Sequence, residues 1–154
     1  MEASATALPG SVEFIEKCQS LNIEVYYISN RGIETLGGTL DNLNKLGIPS
    51  DENHVLLKEG NSDKTDRRNA VLVTHDIILF IGDNLRDFSD IYADRQSNFG
   101  KEVVQEELQN LRENFVIIPN PMYGEWQKPV YMGQNSKTDS AKVVLTNKFI
   151  TEQN

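Results

Sequence analysis

"DIILFIGDNLRDF", residues 76–88, decides how this chain is read. Ile77, Ile78, Leu79, Phe80 and Ile81 form an unbroken apolar run of the kind that makes a strand buried on both faces. The run ends at Gly82, where the backbone is free to turn sharply, and then meets Asp83 and Asp87. Asp83 is held at the tip, and Asp87 returns to the same point if "NLRDF" opens a helical turn. Two hard carboxylates at one point suit Mg²⁺, which takes few protein ligands and keeps waters or a substrate phosphate. The same acids also suit an ordinary helix N-terminus, and spacing alone leaves both readings open.

Working outward, helix and strand patterns alternate. Pro9 can open a helix whose buried face is Val12, Phe14, Ile15, Cys18 and Leu21. "IEVYYISN" (23–30) reads as a strand. Ile33, Leu36, Leu40, Leu43 and Leu46 then share one helical face, stopped by Gly47 and Pro49. "HVLLK" (54–58) is a short strand, and residues 62–73 look helical. After residues 77–82, Val104, Leu108 and Leu111 mark a helix, "NFVIIPN" (114–120) a strand, and 136–150 a helical tail. Such alternation implies an α/β fold, a parallel sheet with helices on both faces and its chemistry at the carboxyl ends of the strands. The loop "PNPMYGEWQKPVYMG" (119–133) is either a packed surface loop or part of a pocket.

With 154 residues, 38% hydrophobic and 25% charged, the composition is that of one soluble globular domain. A net charge of −8 argues against a nucleic acid polymer as partner. The single cysteine, Cys18, excludes an internal disulfide and a cysteine zinc site and reads as a small core residue. No apolar run is long enough for a membrane span, so no membrane contact by this chain is expected.

The candidate residues cluster at strand ends. Ser29, Asn30 and Arg31 follow the first strand, where hydroxyl and amide groups can hold phosphate oxygens or cap the helix beginning near Ile33. Lys64 in "NSDKTDRR" can offset phosphoryl charge, Lys58 competes for that role, and Arg67 and Arg68 are expected on the helix surface. His54 and His75 each flank a strand without metal-pair spacing, which favours structural roles. Tyr123 and Trp126 can stack on an aromatic group or anchor their loop.

Together these segments resemble the class C acid phosphatases of the haloacid dehalogenase (HAD) superfamily, bacterial lipoproteins or secreted enzymes that remove phosphate from nucleotides and other monoesters. "ALPGSVEFIEKCQSLNIEVYYISNR", "GTLDNLNKLGIP", "HVLLK", "SDKTDRR", "THDIILFIGDNLRDF" and "NFVIIPNPMYGEW" follow the family's order and spacing. The resemblance implies that Ser29 hydrogen-bonds the phosphoryl group, that Lys64 neutralises charge, that Asp83 and Asp87 hold Mg²⁺ directly or through water, and that Tyr123 helps surround the substrate's aromatic portion; Asn30 and Arg31, by their place after the first strand, are expected to help bind substrate. It implies a phosphomonoester such as a nucleoside monophosphate as substrate, a 5'-nucleotidase type of activity, and a secreted or cell-surface lipoprotein location. The family's first motif, Asp-x-Asp-x-Thr, ends an apolar strand, and its first aspartate attacks phosphorus. No Asp-x-Asp occurs in these 154 residues, and Ser62, Asp63 and Asp66 follow no suitable strand. Residues 1–154 therefore read as a single HAD-like catalytic domain truncated at its N-terminus, lacking the central strand of its sheet. Three outcomes compete: a phosphatase completed by an N-terminal segment or a strand-supplying chain, a non-catalytic phosphate- or nucleotide-binding module, and an inert truncation product.

Overall fold

The computed structural model describes residues 4–93, 98–120, 130 and 138–152. Tyr123 and Trp126 lie outside them. The chain forms two compact units, Met1–His75 and Asp76–Asn154.

In the first unit, α1 (Ser11–Ser20) leads to β1 (Tyr27–Gly32), a short 3-10 turn (Ile33–Thr35), α2 (Leu36–Lys45), β2 (Val55–Lys58) and α3 (Thr65–Leu72). Both long helices end the same way. At α1 the amide of Ile23 reaches the carbonyl of Cys18 (2.9 Å) and that of Asn22 reaches Gln19 (3.0 Å), with Asn22 left-handed at φ 57. At α2 Ile48 bonds Leu43 and Gly47 bonds Asn44, both at 3.0 Å, with Gly47 at φ +73. These paired bonds satisfy carbonyls that the helix leaves open and turn the chain towards the next strand. The stop expected at Gly47 is thus present. β1 and β2 pair in parallel, Tyr27 opposite Val55 and Ile28 opposite Leu56. Val55 and Leu57, alternate residues on one face of β2, are buried with Cys18, Ile48 and Val71, so Cys18 is the core residue its spacing suggested.

In the second unit, β3 (Phe80–Gly82) is followed by 3-10 turns at Leu85–Asp87 and Asp90–Tyr92, then α4 (Lys101–Glu106), α5 (Leu108–Asn114), β4 (Phe115–Ile117) and α6 (Asp139–Glu152). β3 and β4 pair in parallel, Phe80 opposite Phe115 and Gly82 opposite Ile117. Phe88 packs its ring against Phe80, Tyr92 and Phe115 with centroids 5.0, 6.0 and 5.9 Å away. This aromatic cluster anchors the loop that follows β3.

The fold is α/β with parallel strands, as expected, but two details differ from the sequence reading. The run "IILFIG" yields only three strand residues, and it is not covered on both faces: Ile78 is 60% and Ile81 45% exposed. Among the described residues β3 has β4 as its one strand partner, and the sheets β1-β2 and β3-β4 each hold two strands. The helix expected around Val104 to Leu111 is two helices, α4 and α5, meeting at Glu107.

Candidate functional site

The carboxyl end of β1 is irregular. Ile28 pairs with Leu56 and Gly32 with Lys58, so Ser29, Asn30 and Arg31 face a single residue, Leu57, and their backbone leaves the ladder. Bulges of this kind re-aim side chains and recur beside active sites. Ser29 Oγ accepts from the Arg31 amide at 3.3 Å. The alternative of helix capping by Ser29 or Asn30 falls away, because the following 3-10 turn is preceded by Gly32 and α2 by Thr35, neither with a side-chain cap bond.

What holds Asn30 is Arg67. Its guanidinium donates to the Ser29 carbonyl (2.5 Å), to Asn30 Oδ1 (2.7 Å) and to the Asp63 carbonyl (3.0 Å). Burial lowers the Arg67 pKa, against the opposing pull of the Asp63 carboxylate. Asp63 Oδ1 in turn accepts from the Thr65 amide at 2.8 Å, opening α3, with Lys64 at the cap position between them. Lys58 instead ends β2. The expectation that Arg67 and Arg68 lie on the helix surface is corrected: Arg67 is half-buried, and Arg68 is 7% exposed with Nη2 on Thr65 Oγ1 at 2.8 Å. The overlooked signal was that residues in the first turn of α3 point back towards the sheet end that precedes it.

In the second unit, Gly82 closes β3 and its carbonyl accepts the Ile118 amide at 2.8 Å. Asp83 Oδ2 accepts from Asn120 Nδ2 at 2.6 Å. The next turn is capped by Asn84, whose Oδ1 accepts the Arg86 amide at 3.1 Å, so Asp83 does not serve as the cap. Asp87 folds back over Gly82: a Cβ placed on Gly82 would lie 2.5 Å from Asp87 Oδ2. Asp83 and Asp87 both lie at the end of β3, the return that a turn in "NLRDF" allows. Asn120 was missed as a partner, although it stands in the quoted "PNP" segment. Among the described residues no group of three or more His, Cys, Asp and Glu side chains is arranged to hold a metal ion, so Asp83 and Asp87 offer at most two carboxylates at this end of β3. Hard oxygen donors of this number fit Mg²⁺, which draws its remaining ligands from water and substrate.

A separate cluster sits at the amino ends of β1 and β2. His54 Nε2 and His75 Nε2 both reach Glu24 Oε2, at 3.1 and 3.3 Å, and His54 Nδ1 reaches Asp51 Oδ1 at 2.9 Å. Tyr26 packs against both imidazoles. Asp51 and then Glu24 raise the His54 pKa, while His54 is the largest cause lowering Glu24 and Asp51. The histidines hold structure, as expected, but at one shared carboxylate that sequence spacing could not reveal.

The family of the HAD superfamily, subfamily IIIB (Acid phosphatase) matches residues 1–126. The chain belongs to that acid phosphatase family. Its structure is similar to that of the class C acid phosphatase from Bacillus anthracis, with a TM-score of 0.83 and 38% identity over 95% of this chain and 62% of the other. It is equally similar to the crystal structure of the Class C acid phosphatase from Bacillus anthracis with tungstate bound, at TM-score 0.84 and 37% identity over the same shares. The chain thus spans about three-fifths of the length of these solved relatives. No helix among its described residues is long and apolar enough to cross a membrane.

Proposed function

We propose that these residues are the carboxyl-terminal part of a single HAD-like catalytic domain that hydrolyses phosphomonoesters with Mg²⁺, and that the chain alone does not turn over. The observation that carries this reading is the pair Asp83 and Asp87 gathered around Gly82 in a member of an acid phosphatase family. One relative holds tungstate, an oxyanion, which supports an oxyanion ligand for this chain too.

In this reading the Ser29 hydroxyl donates to a phosphoryl oxygen, the Asn30 amide and Arg31 add donors, and the Lys64 ammonium offsets charge that develops on the phosphoryl group. Tyr123 contributes to the surround of the substrate's aromatic portion, with a nucleoside monophosphate as the substrate of a 5'-nucleotidase type. Asp83 and Asp87 would hold Mg²⁺, and Asn120 orients the Asp83 carboxylate. When bound, Mg²⁺ supplies positive charge against the phosphoryl oxygens. The nucleophile comes from an Asp-x-Asp strand supplied by an N-terminal segment or another chain, because none occurs in the 154 residues. A secreted or lipoprotein location goes with this reading.

The absent motif specifically favours a second reading, a phosphate- or nucleotide-binding module without catalysis. One experiment separates them. The chain alone should not hydrolyse p-nitrophenyl phosphate at an enzyme-like rate in Mg²⁺, since donors and a metal stabilise charge but form no aspartyl-phosphate. A peptide carrying an apolar strand and Asp-x-Asp-x-Thr should raise the melting temperature and create activity together, and its Asp→Asn form should restore stability alone. Turnover by the lone chain that is lost in Asp83→Ala would overturn the proposal. Phosphate binding that no peptide converts to turnover would favour the binding module.

A further inference from the structure

The bulge at the end of β1 leaves Ser29 and Asn30 without regular ladder partners, yet neither is left to set its own position. Arg67 takes the Ser29 carbonyl with one terminal nitrogen and shares the other between Asn30 Oδ1 and the Asp63 carbonyl. These acceptors lie on two segments, 29–30 and 63, that precede and flank the two donors expected to meet phosphate, Ser29 Oγ and Lys64 Nζ. A guanidinium is planar and carries only donors. Facing it, the Asn30 amide must turn its oxygen inward, which directs the Nδ2 hydrogens the other way, as donors available to an anion. Ammonium on a flexible stem has the same charge but not the fixed fork.

We propose that Arg67 is a positioning residue for phosphate binding: it locks the bulge after β1 to the start of α3 and fixes Asn30 with its amide donors outward. This rests on the phosphate-holding role given above to Ser29, Asn30 and Lys64. Arg67 itself touches no substrate. Its charge is already engaged by three oxygen acceptors, so its effect on phosphate runs through the groups it orients.

The test uses the full chain, labelled with nitrogen-15, as wild type, R67K, R67Q and R112Q. Arg112, exposed on α5, controls for loss of one positive charge. Inorganic phosphate is titrated against each, with melting temperature and the nitrogen-15 order parameter of the Asn30 side-chain amide recorded in parallel. Both R67K and R67Q should weaken phosphate binding about 10- to 100-fold, the range typical of outer-shell partners, well below their melting temperatures. R112Q should match wild type. The Asn30 side-chain amide should become more mobile in R67K, which keeps the charge and loses the fork, so its nitrogen-15 order parameter should fall. R67K that binds phosphate like wild type, or whose Asn30 side-chain order parameter matches wild type, overturns the inference. If wild type shows no phosphate-induced shifts at Ser29 to Arg31 or Lys64, the phosphate reading fails, and the Asn30 order parameter alone then decides the positioning claim.

Discussion

Replacing Gly82 with alanine tests directly whether Asp87 is drawn back over the end of β3. A Cβ at that position would lie 2.5 Å from Asp87 Oδ2, 2.9 Å from its Cβ and 3.0 Å from its Cγ. Carbon atoms in favourable contact sit roughly 3.5–4.0 Å apart, so the flexible end of Asp87 cannot absorb the whole clash and its stem must shift. Gly82 is not among the glycines with positive φ, which means the backbone itself accepts alanine. Stiffening the unfolded chain would then favour the variant by about 0.4–1 kcal/mol, while overpacking costs about 1–3 kcal/mol. The expected net result is a loss of about 1–2 kcal/mol. Urea unfolding of wild type, G82A, D87G and the double variant measures it as a cycle. Asp87→Gly, unlike Asp87→Ala, removes the Cβ as well as the carboxylate, so alanine at 82 should cost nothing or stabilise in that background. A coupling energy of about 1 kcal/mol or more is expected for two groups in such contact. Equal cost of G82A with and without the Asp87 side chain would show that Asp87 does not lie over Gly82, and the carboxylate pair would lose its geometric basis.

Two further outcomes follow from the other clusters. The raised His54 pKa contributes stability that is complete below the ordinary imidazole value of about 6.5 and fades as pH rises through the folded value. The lowered Glu24 and Asp51 contribute above their ordinary values of about 4.3 and 3.9 and fade as pH falls through their folded values. Wild type should therefore melt higher near about pH 5.5 than near about pH 8, and H54Q should flatten that difference; parallel profiles for the two proteins would contradict it. Mg²⁺ should bind the isolated chain weakly, because Asp83 and Asp87 supply two carboxylates, and D83N should abolish the calorimetric signal, whereas tight stoichiometric binding to wild type would count against the assignment.

The order of elements was legible because apolar spacing, Gly47 and the run at 77–82 each carry a local signal. So was the gathering of Asp83 and Asp87, which needs only a glycine, a turn and a four-residue interval. Strand length was not: "IILFIG" is apolar throughout, and only pairing decides that the strand is Phe80–Gly82. The roles of Arg67 and Glu24 were hidden for a different reason. Arg67 meets residues 37 and 38 positions earlier, and Glu24 gathers His54 from 30 positions later. Such meetings are set by the parallel crossover, which brings distant strand ends to one edge, and no window along the chain contains both partners.

That crossover also sorts the first unit by sheet end. His54, Glu24 and Asp51, which respond to acid, occupy the amino end of β1 and β2, whereas Ser29, Asn30 and Arg67 occupy the carboxyl end of β1. Mutation can therefore tune proton-dependent durability at one end while leaving the donor geometry at the other intact. A lineage carrying this fold could move between neutral and acidic surroundings by exchanging residues around Glu24, without rebuilding the bulge after β1.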